Sequence, residues 1–360
     1  MTTSIDRFVR PSVINLAPYI AGKPTQDVLR LHANESSLTP NTSRRDDQAA
    51  INRYTGILDD VINRVTKAFN ISNDEFQITR GSSEGVDIIL RTFCQPNEDN
   101  IIISSPTFDM YRFYANILDI NVIDSPLLQE EKVFKLDIAS IKKNIFEHDK
   151  VKVLFLCSPN NPTGQLIKTN DIIDLCDAMS DQGIVVVDEA YIEFSKQRSM
   201  TARINEINNL VILRTMSKAY GIAAARVGFI ISNKDVMNYT QRVTPPYTCP
   251  INSQEIILEA LEPNNINQSN AYVENIKSTR ELLANALREI KCIDQVFCSD
   301  ANFVLCQTKT PEEVVSSLRE KGVLIRSFPN IPSLRSFIRI TMGSDAENEQ
   351  MLNALKLFKG

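Results

Sequence analysis

Asn209-Leu-Val-Ile-Leu-Arg-Thr215-Met-Ser-Lys218-Ala-Tyr-Gly221 is the stretch on which the reading of this chain turns. A run suited to a buried strand passes straight into a loop that carries a lysine. Upstream, Gly183-Ile-Val-Val-Val-Asp188-Glu-Ala-Tyr191 repeats the arrangement with a carboxylate and a phenol. Further upstream, Val151-Lys-Val-Leu-Phe-Leu-Cys157 leads into Ser158-Pro-Asn-Asn161-Pro-Thr-Gly164, a turn that offers a carboxamide. Runs that are apolar throughout, rather than alternating, predict strands covered on both faces. An amine, an acid with a phenol, and an amide therefore each follow the carboxyl end of a strand. In open α/β sheets, ligands bind at that edge.

Outward from this stretch the pattern alternates. Helical spacing at 58–69, 84–93, 110–118 and 169–181 is interleaved with strand-like runs at 76–79, 100–104, 120–123 and 227–231. Such alternation predicts an α/β fold with a mostly parallel central sheet and helices on both faces. After Pro245-Pro246 the character changes. Helices at 251–261, 271–290 and 311–321, with strands at 303–306, 323–325 and 337–340, predict a smaller α+β domain. Ser344 and Glu347 form a capping box that opens the last helix. The expected division is an irregular N-terminal arm at 1–35, a large domain at 36–250 and a small C-terminal domain at 251–360.

Composition narrows the function classes. The chain has 360 residues, enough for two domains, and a net charge of −5 with a pI near 5.4, against a nucleic-acid scaffold. The seven scattered cysteines form no CxxC pair, and with no apolar signal-like segment near Met1 they predict reduced thiols in a cytoplasmic protein. Only two histidines, His32 and His148, leave little scope for a zinc site or histidine acid–base chemistry, so no metal is expected.

Held around one small molecule, the three strand-end groups meet the needs of pyridoxal phosphate, for which a protein supplies attachment, orientation and electronic tuning. Lys218 would attach the coenzyme as a Schiff base and, once displaced by substrate, move the α-proton. Such a lysine needs a depressed pKa, which burial and nearby cations supply. Asp188 would keep the pyridine nitrogen protonated, and a carboxylate ending so apolar a strand is costly to bury without a cationic partner. Tyr191 and Asn161 would hydrogen-bond the ring oxygen. Gly81-Ser82-Ser83 precedes the helix expected from Glu84, and the free N–H groups of a helix N-terminus bind anions. Ser217 and Arg226 would complete the phosphate cradle, the arginine as a forked donor. Phe108 or Tyr111, in Pro106-Thr-Phe-Asp-Met-Tyr111, would stack on the ring; spacing does not choose between them.

Read together, Leu31-His-Ala-Asn34-Glu35, Arg53-Tyr54, Arg80-Gly-Ser-Ser-Glu-Gly85, Cys157-Ser-Pro-Asn-Asn-Pro-Thr-Gly164, Val187-Asp-Glu-Ala-Tyr-Ile-Glu-Phe194, Arg214-Thr-Met-Ser-Lys-Ala-Tyr-Gly221, Ala225-Arg-Val-Gly-Phe229 and Arg339-Ile-Thr-Met-Gly343 resemble the fold-type I aminotransferases. Within them the likeness is greatest to the histidinol-phosphate aminotransferase family, in the same order and over nearly the whole chain. The resemblance implies amino transfer between histidinol phosphate with imidazole-acetol phosphate and 2-oxoglutarate with glutamate, in histidine synthesis. It also implies a homodimer with shared active sites, in which Tyr54 reaches the neighbour's coenzyme phosphate. Arg339 would grip the substrate's α-carboxylate or its phosphate, Arg326 would be a second phosphate-side arginine, Tyr19 would close over the substrate, and Asn34 would lie on the substrate side. Two positions depart from the family's pattern. Ala223-Ala224-Ala225 stands where an extra glycine is usual, and Ser83 where an acid is usual.

Rival readings are weaker. Gly81-Ser82-Ser83-Glu84-Gly85 fits a G-x-S-x-G nucleophile elbow, but His148 is the only later histidine and lies in a polar run before a strand. A phosphothreonine decarboxylase or an aromatic amino-acid aminotransferase of the same fold keeps the cofactor and changes the reaction or the donor. A non-catalytic binding module gives no reason for an amine, an acid and an amide at three strand ends.

Overall fold

The computed structural model describes residues 5–19, 29–38 and 51–358. Its helices run α1 (Pro11–Ile14), α2 (Asp59–Phe69), α3 (Ser82–Phe93), α4 (Met110–Ile117), α5 (Ile138–Glu147), α6 (Thr169–Ala178), α7 (Lys234–Val243), α8 (Ile251–Ala260), α9 (Pro263–Arg288), α10 (Pro311–Glu320) and α11 (Asp345–Lys356). The strands of the main sheet are β1 (Phe76–Thr79), β2 (Asn100–Ile103), β3 (Asn121–Asp124), and, after a small hairpin of β4 (Leu128–Glu130) and β5 (Val133–Lys135), β6 (Val151–Cys157), β7 (Ile184–Asp188), β8 (Leu210–Thr215) and β9 (Gly228–Ser232). A second sheet comprises β10 (Gln295–Val296), β11 (Phe303–Gln307), β12 (Arg326–Ser327) and β13 (Phe337–Thr341).

The main sheet has the order β1-β9-β8-β7-β6-β2-β3, so the three strands that end in the amide, the acid and the amine lie side by side at its centre. All pairings are parallel except those of β9, which runs antiparallel to both β1 and β8. The continuous apolar runs follow from two helical layers. Leu154, Leu156, Val185, Val187, Leu210 and Ile212 enter one core, with α2, α5 and α6. The intervening Val153, Phe155, Ile184, Val186, Val211 and Leu213 enter the other, with α3, α4 and α7. A strand that feeds a core on each side has no polar face, and each such side chain contributes about 1.5–3 kcal/mol on burial.

Two expectations about domain limits need correction. The arm expected at 1–35 is in part integral to the large domain: Ile5, Phe8, Val9 and Val13 are buried in the α3/α4/α7 core, and the Arg10 N–H donates to Thr92 O at 2.9 Å. The small domain does not begin at 251. Ile257 and Ala260 of α8 pack in the core that holds α2, whereas Val273, Ile276 and Leu283 of α9 pack with β11 and β13. The change of core thus falls along α9, which opens at Pro263, ahead of the expected 271. The strand expected at 323–325 forms instead as β12, at Arg326–Ser327. Helices α5 and α7 and the β4–β5 hairpin were not foreseen. The Ser344–Glu347 capping box is present.

Among the described residues, no helix is long and apolar enough to cross a membrane, and no cluster of His, Cys, Asp and Glu could hold a metal ion.

Candidate active site

The loop after β8 is shaped by Thr215. Its hydroxyl donates to Val227 O at 3.0 Å and accepts from the Ser217 N–H at 3.1 Å. Lys218 follows, and its carbonyl accepts from the Gly221 N–H at 3.2 Å; Gly221 closes this turn at φ +70°, where a side chain would be strained. Burial lowers the Lys218 pKa, and the charges of Arg339 and Arg226 act in the same direction against Asp188. A lysine held this way spends more time as the free amine that nucleophilic attack requires. Its Nζ lies 5.7 Å from the centre of the Tyr191 ring.

Asp188 ends β7 opposite Cys157 of β6 and Leu213 of β8. Its carboxylate receives the Ala190 N–H at 3.1 Å on one oxygen and the Tyr111 hydroxyl at 3.0 Å on the other. Burial nevertheless raises its pKa to about 6, against those hydrogen bonds and the charge of Lys218. Its immediate donors are neutral, so a protonated ring nitrogen would supply the close cation that such a buried carboxylate favours. Tyr191 is itself buried, edge-on to Phe303 with ring centres 5.2 Å apart, and burial pushes its phenol well up.

The Asn160–Gly164 turn is closed by Gly164 N–H to Asn160 O at 2.7 Å, with Gly164 at φ +90°. Its two asparagines divide the work. Asn160 braces the turn through Pro106 O, Thr163 and Thr107, at 2.8–2.9 Å. Asn161 faces the pocket, where its side-chain oxygen accepts from Arg339.

At the other end of the pocket, α3 begins at Ser82, two residues before the expected start, with Gly81 at φ +79° before it and no side chain capping its first turn. Those N–H groups are available to an anion. Arg226 lies against them. A Cβ on Gly81 would come within 2.7 Å of its guanidinium, and one on Gly228 within 2.4 Å of the Gly81 backbone. The Ala223–Ala225 segment, where a glycine was expected, forms a 3₁₀ turn that leaves Arg226 itself in the left-handed region at φ 54°. A non-glycine residue there is strained, by of order 1 kcal/mol or more, and the packing of its guanidinium on Gly81 holds it.

Of the residues singled out from the sequence, Ser82, Ser83, Phe108, Asn161, Asp188, Tyr191, Ser217, Lys218 and Arg226 line this one pocket. Tyr111 does not. It is fully buried, stacked on Phe155 with centroids 4.7 Å apart, and touches the site from behind, through its hydroxyl on Asp188 and its ring against Phe108. Of the two aromatics left open by spacing, Phe108 is the one that lines the pocket. Arg339, on β13, joins the site from the second sheet, and Arg326 of β12 is its cross-strand neighbour. Tyr19, Asn34 and Tyr54 do not line the pocket. Tyr19 and Tyr54 are exposed and both pack on Tyr247, at centroid distances of 6.0 and 4.9 Å. Asn34 is exposed at φ 54°, beside Glu35, whose buried carboxylate holds Arg30 at 2.8 Å, Arg53 at 3.2 Å and the Tyr54 N–H at 2.7 Å.

The nucleophile-elbow reading fails on placement. Glu84 is ion-paired to Arg80, and His148 caps the end of α5 just before β6 begins, at the sheet edge opposite the pocket. Sequence reasoning also missed a buried cluster behind the pocket. Arg214, on β8, pairs with Glu193 at 2.7 Å and lies 3.7 Å from Glu189, whose carboxylate also accepts from Ser199 and, at 2.7 Å, from the Met200 N–H. Burial raises the Glu189 pKa to about 7 against those partners. The signal for it was an arginine in an otherwise apolar strand, β8, with acids in the loop that follows the preceding strand, β7.

Comparison with known proteins places the chain in a family. Chains named histidinol-phosphate aminotransferase from Buchnera aphidicola subsp. Diuraphis noxia and Shigella flexneri are each 34% identical, covering 99% of this chain and 98% of theirs. Among solved structures, histidinol-phosphate aminotransferase from Clostridium acetobutylicum superposes with a TM-score of 0.73 at 24% identity, covering 82% of this chain and 87% of that one. The enzyme from Sinorhizobium meliloti in complex with pyridoxal-5'-phosphate gives 0.74 at 18%, covering 84% and 82%. L-threonine-O-3-phosphate decarboxylase from Porphyromonas gingivalis gives 0.66 at 24%, covering 85% and 90%. At those identities the structures speak for the fold alone. The profile of the family described as aminotransferase class I and II matches residues 15–355, and with relatives this similar along almost its full length, the chain belongs to that family.

Proposed function

We propose that this protein is a pyridoxal-phosphate-dependent aminotransferase that passes an amino group between histidinol phosphate and 2-oxoglutarate. The observation that carries the reading is the convergence of Lys218, Asp188 and Asn161 from three neighbouring strand ends, with Arg339 arriving from the second sheet. The named relatives support the substrate.

Bound here, pyridoxal phosphate would supply an electron sink for the substrate's α-carbon. The chain's own residues supply the rest. The α3 N-terminus, Ser217 and Arg226 would hold its phosphate, Phe108 would cover its ring, and Asn161 and Tyr191 would hydrogen-bond its ring oxygen. Asp188 would keep a proton on the ring nitrogen. Lys218 would serve as the base and acid that moves the proton of the substrate Cα. Arg339 and Arg326 bind the carboxylate of glutamate or the phosphate of the alternative donor in turn, since a guanidinium fork fits either anion.

The oligomer is part of the proposal. Tyr54 is exposed and lies outside its own pocket, yet its position is fixed, its backbone N–H held by Glu35 and its ring stacked on Tyr247. A homodimer in which each Tyr54 completes the other's phosphate site accounts for it. Cytoplasmic placement accords with a biosynthetic role.

The test is steady-state kinetics on the purified holoenzyme. Histidinol phosphate with 2-oxoglutarate is expected to give glutamate with kcat/KM at least about 10²-fold above phenylalanine, since paired arginines left without an anion discriminate against that donor. Release of CO₂ from O-phosphothreonine without any keto acid would refute amino transfer, and equal turnover of phenylalanine would refute the donor.

A further inference from the structure

The segment that carries Tyr54 is irregular, and surface loops of that kind are ordinarily held loosely. This one is tied down along its backbone. The Tyr54 N–H donates to Glu35, and the Tyr54 carbonyl accepts from Arg30 at 3.0 Å. Just beyond, Gly56 O and the Leu58 N–H are both taken by one side chain, that of Gln254 on α8. The Tyr54 ring meanwhile stays exposed.

Gln254 is fully buried. Its Oε1 accepts the Leu58 N–H at 2.9 Å, and its Nε2 donates to Gly56 O at 3.1 Å and to Cys249 O at 3.0 Å. The oxygen and both hydrogens of the carboxamide are thus used, all on backbone groups, and those groups belong to two separate segments. The second segment carries Tyr247, two residues before Cys249. Tyr247 stands at φ 55°, a strained conformation that persists only where the surroundings impose it. Its ring is the platform on which the Tyr54 ring is stacked, with centres 4.9 Å apart and planes at 29°. Gln254 therefore stands behind this pair of tyrosines and ties the backbones of both.

We propose that Gln254 is a positioning residue that, with the Tyr247 platform it anchors, aims the Tyr54 phenol at the coenzyme phosphate of a neighbouring copy of the chain. The inference rests on the homodimer proposed above. The same turn of α8 also touches the chain's own cradle, because Ser253 donates to Ala225 O at 2.8 Å, beside Arg226. A hybrid dimer separates the two routes.

Coenzyme affinity is read from the absorbance change on attachment to Lys218 as the full chain, stripped of coenzyme, is titrated. Pyridoxal phosphate is compared with pyridoxal, since the phenol meets only the phosphate. Tyr54→Phe sets the scale, a hydrogen bond to a charged group being worth about tenfold in affinity. Gln254→Met removes three hydrogen bonds at similar volume. Tyr247→Leu removes the platform at a partly exposed position. Each is expected to weaken pyridoxal phosphate by about fivefold or more and to leave pyridoxal within about twofold, on the same scale. Either variant that folds suffices. In a hybrid of that variant with a Lys218→Ala chain, the one site able to attach coenzyme takes its Tyr54 from the chain with Gln254 and Tyr247 intact. Its affinity is expected to equal that of the unaltered enzyme. Equal weakening of pyridoxal overturns the proposal, as does a weak hybrid, which would put the effect in the chain's own cradle. Unchanged affinity in both variants while Tyr54→Phe weakens it overturns the positioning and leaves the dimer standing. Tyr54→Phe without effect removes both.

Discussion

Asp188 and Glu189 are consecutive carboxylates, both almost fully buried, and they face opposite ways. Asp188 turns toward the pocket and meets only neutral donors at close range, with Lys218 the one nearby charge that favours its anion. Glu189 turns back into the protein, where Arg214, Ser199 and the Met200 N–H meet it and Glu193 shares the arginine. The same chemical group, one residue apart, is structural on one side and short of a partner on the other. The back cluster joins the loop after β7 to strand β8 and so fixes the spacing of Asp188 and Lys218. The front carboxylate is left for a ligand to complete. A buried acid with its cation inside the fold braces the fold, and one without it marks a site.

The comparison breaks first at the back. Arg214→Met would strand buried Glu189 and partly buried Glu193, and losing one partner of a buried ion pair costs about 3–5 kcal/mol. The urea midpoint should fall accordingly, and a change below about 1 kcal/mol would mean that the cluster is not the brace described.

Asp188→Asn tests the front, and its two effects have opposite signs. Turnover should fall about 10²-fold or more, because a neutral ring nitrogen is a weaker sink. The coenzyme-free protein should become more stable at pH 7–8. With a folded pKa of about 6, above the ordinary aspartate value, Asp188 binds its proton more tightly folded than unfolded. Its stabilising contribution is present below about pH 4 and is lost as pH rises through 6. Removing the charge should recover on the order of 2–3 kcal/mol above that range and nothing near pH 4. Melting temperatures of the two apoproteins across pH 4–8 measure this, and parallel curves would contradict it.

The smallest effect sharpens the comparison. Tyr111→Phe removes a hydrogen bond that favours ionised Asp188, worth about 0.5–1.5 kcal/mol. The Asp188 pKa should rise further, moving the acid limb of the kcat profile to higher pH by up to about one unit, with the coenzyme still bound. An unmoved limb would make Tyr111 merely a core aromatic.

Much of this was legible because the central strands carry their signal locally. A strand buried on both faces is apolar at every position, and the residue ending it stands out, so Asn161, Asp188 and Lys218 could be found from β6, β7 and β8 alone. What depends on partners distant in sequence was not. Nothing beside Tyr111 tells that its hydroxyl will meet Asp188. Nothing near 251 tells that Ile257 will pack on α2 rather than on the second sheet. Helix α5 is an intermediate case: Asp137 caps it and Ile138, Ile141 and Ile145 have helical spacing, but the polar residues between them and the adjoining charged run obscured the pattern.

Strand β9 runs against its neighbours, and so its beginning, not its end, reaches the edge where β1 and β8 finish. The proposed phosphate cradle is consequently stitched from Gly81–Ser83, Thr215–Ser217 and Arg226, segments far apart in the chain that meet only when β9 slots between the other two. Contacts between such remote segments are slow to form. During refolding, recovery of helical circular dichroism should run ahead of coenzyme capture, and the uptake of colour becomes a clock for closure of the sheet.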